Sequence, residues 1–318
     1  MGFRADLFSI RKPLLEVTFA GDGLLARFNQ VFSETMGSLK HALTGALGRN
    51  APAISFIILA FLIVTVLSTA YFLLAFNREQ FLNLPQVKEY DNLLENVTGM
   101  DEWSRTKFYW SNNLRIAGLY AISFPFYTGA ASLLMTSHQI GLAAVYNYHL
   151  YGPLVLLNFI SIIFVHGILE LTGALILGGA SLRLAWKLWG YLGHALTAGW
   201  GKVTRKRKAA IRQHLTDYLI LIALGSLLIA LAAPVEAYLS PSASVLFLIS
   251  PTLAILFLAS VLLFYAAIIR VGFRPMLRRA SSVLEDLGEL ASGRWKPSHL
   301  SLLMFLLFSL LTWLGLLV

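Results

Sequence analysis

Residues 166–184 read HGILELTGALILGGASLRL. The acid Glu170 stands four residues after His166, inside an apolar tract running from Ile116 to Leu182, and it is the only carboxylate between Glu102 and Asp217. A tract this long belongs in a bilayer, whose hydrocarbon core of roughly 30 Å takes about 20 helical residues per crossing. A lone ionisable group there is costly, and such groups face a bundle interior, a polar partner or a water-filled path. The stretch therefore fixes the fold class as an all-α transmembrane bundle, and it raises the functional question of why the acid is tolerated.

Composition agrees. Of 318 residues, 57% are hydrophobic and only 13% charged, about half the charged fraction of soluble domains, which is roughly 25%. The mean hydropathy is +0.70. The first 51 residues carry charges throughout and no continuous apolar stretch, so no cleavable signal peptide is expected and the first span directs insertion. The absence of cysteine removes thiolate chemistry and disulfides. The net charge of +9 reads as cytoplasmic loop charge. The basic run at 202–212 lacks the interleaved aromatic residues of a nucleic-acid platform; it suits topology control and attraction to anionic lipid.

Seven spans are expected, with five as the lower bound: 53–76, 113–135, 139–165, 167–189, 215–233, 245–269 and 300–318. The Gly152-Pro153 pair and Gly167 are helix breakers, so 139–170 is a place for broken or re-entrant half-helices. Basic residues crowd 1–51, 190–214 and 270–298, whereas 77–112 holds six acids against four basic residues. The positive-inside rule then puts the N-terminus in the cytoplasm and the 77–112 loop and 234–244 connector outside. Two segments are amphipathic. Leu24, Leu25, Phe28, Val31, Phe32, Met36, Leu39, Leu43 and Leu47 recur at helical spacing, as do Val283, Leu284, Leu287, Leu290 and Ala291 in the cytoplasmic 270–298 segment. The chain thus divides into an interfacial N-terminal segment (1–51), a transmembrane core (52–245) and C-terminal spans (246–318).

This topology gathers polar residues at one depth. His166 and Glu170 start the fourth span on the outer side, Glu236 ends the fifth, and Asn112, Asn113 and Arg115 open the second. Arg183 is 13 residues past Glu170, about 20 Å along a helix, too far to pair. His166 and Glu170 share a helix face and suit a proton relay, a cation path or interhelical hydrogen bonding. Two ligands are one short of a typical zinc site, and no nucleophile and base stand together. No metal, cofactor or enzymatic activity is expected. Gly173, Ala174, Gly178 and Gly179 form a small-residue face for close helix packing, which also permits a homodimer.

Three motifs in this order resemble the stage II sporulation protein M family. They are Phe108-Tyr109-Trp110-Ser111-Asn112-Asn113-Leu114-Arg115, the His166-Gly167-Ile168-Leu169-Glu170-Leu171 stretch with its following small-residue helix, and Ala232-Ala233-Pro234-Val235-Glu236-Ala237-Tyr238-Leu239-Ser240-Pro241. The resemblance covers roughly residues 50–245. It departs where the family has Asn-Gly before its second motif, since the chain reads Thr136-Ser137-His138-Gln139-Ile140-Gly141 there. The resemblance implies a multi-pass protein of the cell membrane that acts as a scaffold for other membrane proteins. The namesake holds a peptidoglycan-degrading complex, and relatives occur beside RDD-type membrane proteins and MoxR-type ATPases. The residues themselves leave two readings open: a scaffold whose polar cluster shapes the bundle, and a channel or transporter with Glu170 and Glu236 along its path.

Overall fold

The computed structural model describes the backbone of residues 21–122, 124–199, 204–293, 295–297 and 299–313, and gives backbone alone for 21–29, 124, 198, 309, 310, 312 and 313. The expected basic residues Arg4, Arg11, Lys12, Lys202 and Arg294, and the end of the expected seventh span, lie outside the described residues, as do the side chains of Leu24, Leu25 and Phe28. The described residues contain no strand. The helices are α1 (Gly21–Ala75), α2 (Arg78–Leu82), α3 (Pro85–Thr98), α4 (Glu102–Ile122), α5 (Thr128–Tyr151), α6 (Pro153–Ala198), α7 (Arg205–Pro234), α8 (Ser240–Ile249), α9 (Pro251–Ala291) and α10 (His299–Trp313), with a 3₁₀ turn at Phe124–Phe126 and a π turn at Val235–Leu239.

The chain forms two units, Met1–Gly48 and Arg49–Val318. In the first, the helix presents Phe32, Met36 and Leu39 on one exposed face, the spacing of an amphipathic surface helix.

The second unit is built around α6. Contacts along its length set the neighbours' directions. Gly173 meets Gly225 of α7, and Gly178 meets Leu133 of α5. Trp189 donates its indole N–H to the Pro125 carbonyl at 2.7 Å. Both α5 and α7 therefore run antiparallel to α6. Ser161 reaches the Ala254 carbonyl and Thr172 the Tyr265 hydroxyl, so α9 runs parallel to it. On α4, Trp110 donates to Ala230 at 2.6 Å while Tyr218 donates to Ala121 at 2.6 Å, which lays α4 antiparallel against α7. Leucines and isoleucines such as Ile63, Leu74, Leu231, Ile249 and Leu263 stay exposed along these rods, as expected of surfaces that face lipid rather than water.

Among the described residues, four helices are long and apolar enough to cross a membrane: Gln30–Ala75, Pro153–Thr197, Arg205–Ile249 and Pro251–Ala291. Several boundaries differ from those expected. The 113–135 stretch is cut after Ile122, where Tyr127 takes a left-handed conformation (φ 57°) before α5 starts. The break expected near Gly167 is absent. The chain turns instead at Gly152, whose φ of 83° suits glycine, and Pro153 opens α6 at a position where its missing N–H costs nothing. Gly167 is carried inside that 46-residue helix, where a propensity deficit of about 1 kcal/mol is small. The 234–244 connector is helical, and the break falls at Ser250, held extended (φ −131°, ψ 85°) by the following Pro251. The 77–112 loop is folded too: α2 and α3 pack Phe81 and Val87 onto Phe72, Leu142 and Tyr146, and Asn77 and Gln80 cap α2 reciprocally. Of the seventh span, the described part is the short helix α10, seated on Trp186, Trp189 and Gly190 at one end of α6.

Candidate functional site

Two prolines shape the site. Pro234 and Pro241 lack backbone N–H groups, so the turn between them cannot keep an unbroken α-helical ladder. It rewinds instead into a π turn, Val235–Leu239, in which the Ser240 N–H bonds the Val235 carbonyl. π turns inside helices frequently mark functional sites. Here the turn carries Glu236 against α6. The Glu236 Oε1 lies 3.8 Å from His166 Nε2, and potential ligand atoms of His166, Glu170 and Glu236 all lie within 4.8 Å of one another.

On its other side the imidazole is fixed. His166 Nδ1 is 3.1 Å from the Ser240 hydroxyl, which itself donates to the Val235 carbonyl at 3.4 Å. Where the hydroxyl proton goes to that carbonyl, the hydroxyl oxygen accepts from Nδ1–H. Nε2 is then left with a lone pair facing the carboxylates.

Because α6 begins at Pro153 and α7 continues through the π turn into α8, the site residues lie inside two long apolar helices: Glu236 is 31 residues after Arg205 and 13 before Ile249. Glu170 is 17 residues from Pro153 and 13 from Arg183, about 25 and 20 Å along the axis.

The other expected members separate. Asn113 is buried on α4, with a side-chain nitrogen that makes no hydrogen bond. Asn112 and Arg115 are exposed on the opposite face. What α4 brings toward the carboxylates is Tyr109, within electrostatic reach of Glu236 and Glu170. Sequence reasoning missed it, although it stands one turn before Asn113 on the same face. The small-residue face packs as expected. A Cβ on Gly173 would come 2.6 Å from the Gly225 carbonyl oxygen, one on Gly179 2.6 Å from Ile54 Cα, and one on Gly178 3.1 Å from Leu133 Cδ2; Ala174 is buried beside them.

Two more polar clusters lie toward the other end of α6. A cavity of about 280 Å³ is lined by Trp186, Lys187, Gly190, Tyr191, His194, Arg207, Ala210, Ile211, His214 and Ser301, with no acid among them. Beside it Arg49 and Asp217 form a forked ion pair. Near the end of α9, Asp286 and Glu289 surround the fully buried His299, and Lys296 pairs with Glu289. There the tautomer is reversed: His299 Nδ1 accepts from the Lys296 backbone N–H at 3.1 Å, so Nε2 carries the proton toward the acids. Potential ligand atoms of Asp286, Glu289 and His299 also lie within 4.8 Å of one another, but there Lys296 already supplies a positive charge.

The family model for SpoIIM, stage II sporulation protein M, matches residues 53–241. The chain belongs to the SpoIIM family. The matched region runs from the start of the α1 apolar segment to Pro241, and so takes in α4, α6 and the π turn that meet at the His166–Glu170–Glu236 site. No curated protein and no solved structure matches the chain. Family membership and the four long apolar helices make this a multi-pass integral membrane protein.

Proposed function

We propose that this SpoIIM-family protein is a non-enzymatic scaffold of the cell membrane, a rigid helix bundle on which other membrane proteins assemble. The observation that carries this reading is the backbone contact at the centre of the bundle. Gly173 and Gly225 leave no room for a side chain between α6 and α7, and Trp110 pins α4 to the same wall. Helices joined this closely move as one body, which suits a platform. In the proposed arrangement the basic segments 190–214 and 270–298 and the N-terminus face the cytoplasm. The helices α1, α6, α7–α8 and α9 cross, and α4 and α5 enter as a hairpin from the acidic side. Partners of the RDD and MoxR types follow from the family resemblance, and a second copy of the chain is a further candidate. The test is co-purification from native membranes with tagged wild type and with Glu170→Gln and Glu236→Gln. Partner loss in the variants is the expected result, and undiminished partner recovery in both overturns the reading.

A second reading, passage of cations or protons, is favoured by one observation: two carboxyl groups and a histidine meet inside two long apolar helices, beside a break in helical winding. Flux into liposomes holding the purified chain tests it. No flux above empty vesicles across several ions and pH values removes it.

A further inference from the structure

We infer that His166, Glu170 and Glu236 form a binding site for a divalent transition-metal cation of the zinc class, held between α6 and the π turn. Metal binding here does not depend on the scaffold role. Three donors converge from two elements, the number of protein ligands in an open tetrahedral zinc site. A tetrahedral ion about 2.1 Å from each donor holds its nitrogen and oxygen ligands about 3.4 Å apart. His166 Nε2 and Glu236 Oε1 are 3.8 Å apart, longer than a hydrogen bond and close to that separation.

The second argument is the tautomer. In the tautomer whose Nδ1–H donates to Ser240, with the hydroxyl proton on the Val235 carbonyl, the Nε2 lone pair points at the carboxyl oxygens. Lone pair facing lone pair is repulsive unless a proton or a metal cation lies between, and three donors around one point offer a cation a ready set of ligands. The outer hydrogen bond is also the arrangement that orients metal-bound histidines and raises their basicity. The His299 group is the internal contrast. It has the same residue types, but its Nε2 is the protonated nitrogen and Lys296 already supplies the counter-charge.

The third argument is charge. Two ionised carboxylates here would carry a net charge of −2, and among the described residues no lysine or arginine forms an ion pair with either. A divalent ion with two carboxylates and a neutral imidazole is neutral overall, which removes the main cost of placing ionised groups in hydrocarbon. The imidazole selects a zinc-like ion over magnesium or calcium, which prefer all-oxygen shells.

The test uses the full chain in detergent, stripped with a chelator, dialysed against zinc chloride and gel-filtered, with metal counted by plasma mass spectrometry. Wild type is expected to hold about one zinc per chain, and Glu236→Gln and Glu170→Gln at most about a tenth of that. Asp286→Asn, in the contrasting group, keeps the wild-type content. Ser240→Ala retains all three ligands and is expected to bind zinc about 10–100-fold more weakly. Cobalt(II) added to stripped wild type gives an independent readout that needs no variant: an intense ligand-field band, bleached by zinc. Wild type without stoichiometric zinc, Glu236→Gln with undiminished zinc, or cobalt giving only the weak spectrum of the hydrated ion each overturns the inference. Partner recovery is measured separately, so failure here leaves the scaffold reading standing and the converse also holds.

Discussion

Arg49 grips Asp217 with two parallel hydrogen bonds, Nε to Oδ2 at 2.8 Å and Nη2 to Oδ1 at 2.7 Å, and joins α1 to α7 at one end of the bundle. The carboxylate is 1% exposed and the guanidinium 43%. Gln213 donates a third bond to the same carboxylate at 2.9 Å. Forked geometry of this kind is stronger than a surface ion pair.

Removing the exposed partner is therefore the damaging change, because it strands a buried charge. Arg49→Leu is expected to destabilise by about 2 kcal/mol, the scale of a hydrogen-bonded charge, seen as a lower thermal midpoint in detergent. Arg49→Leu with Asp217→Leu should recover part of the loss, since coupled residues are not additive. A double variant as unstable as the sum of the singles rejects the coupling.

Gly173 and Gly225 give the second prediction. A methyl group on Gly225 would sit 2.7 Å from Leu177 Cγ and 2.9 Å from the Gly173 carbonyl oxygen. Gly173→Ala and Gly225→Ala are each expected to cost about 1–3 kcal/mol by overpacking. Gly37→Ala and Gly288→Ala, with open space around the added carbon, should be neutral or stabilising by up to about 1 kcal/mol. Equal midpoints for all four variants would show that α6 and α7 do not meet there.

Asp101 governs a pH effect at the start of α4. The Ser104 hydroxyl, then the backbone N–H groups of Ser104 and Trp103, hold its carboxyl below the usual range. A carboxyl depressed on folding contributes stability above its unfolded value, about 4, and that contribution is lost as pH falls through the lower folded value. Amide exchange at Trp103 and Ser104 should accelerate relative to mid-α4 when acid passes that point, and Asp101→Ala should show the faster pattern already at neutral pH. Acid-insensitive protection at both amides contradicts the cap.

The acid-free cavity at the far end of α6 predicts selectivity for anionic lipid. Lys187 and Arg207 line it, and His214 Nδ1 is buried there without a hydrogen bond. Basic pockets between helices on the cytoplasmic side take phosphate headgroups. Phosphatidylglycerol is expected to raise the thermal midpoint of wild type in detergent more than phosphatidylcholine does, and Lys187→Ala with Arg207→Ala should erase the difference. An equal response to both lipids in wild type counts against a headgroup site.

The sequence showed what kind of fold this is more clearly than where its helices stop. Apolar length and loop charge are local, so the membrane class and the long rods could be read directly. Glu170 announced itself because a single acid is conspicuous in an apolar tract. The Gly152-Pro153 break was legible from residue type, whereas the boundary at Ser250 was harder to see. Gly167 and Pro234 are breakers by residue type, yet helix continuity depends on what packs around them, and α6 and the π turn absorb both. Asn112 and Arg115 looked equivalent to Asn113 because they are adjacent, but one helix face holds only Asn113. The pairing of Glu236 with His166 joins residues 70 positions apart. It rests on a change of winding that no period in the sequence reports, which is why two ligands could be counted there and three could not.

The π turn also resets rotational phase. One extra residue in a turn advances the helix by about 100°, so every side chain after Leu239 points a step away from where an uninterrupted α-helix would aim it. Ser240 and Ser244 face α6 only because of that step. Deleting a single residue between Val235 and Leu239 would let an ordinary α turn replace the wide one and keep Ser240 and Ser244 turned toward α6, whereas winding the full-length segment as regular α-helix would swing them away by about 100°. In this segment the length of the chain, as much as its chemistry, decides which side of the helix looks inward.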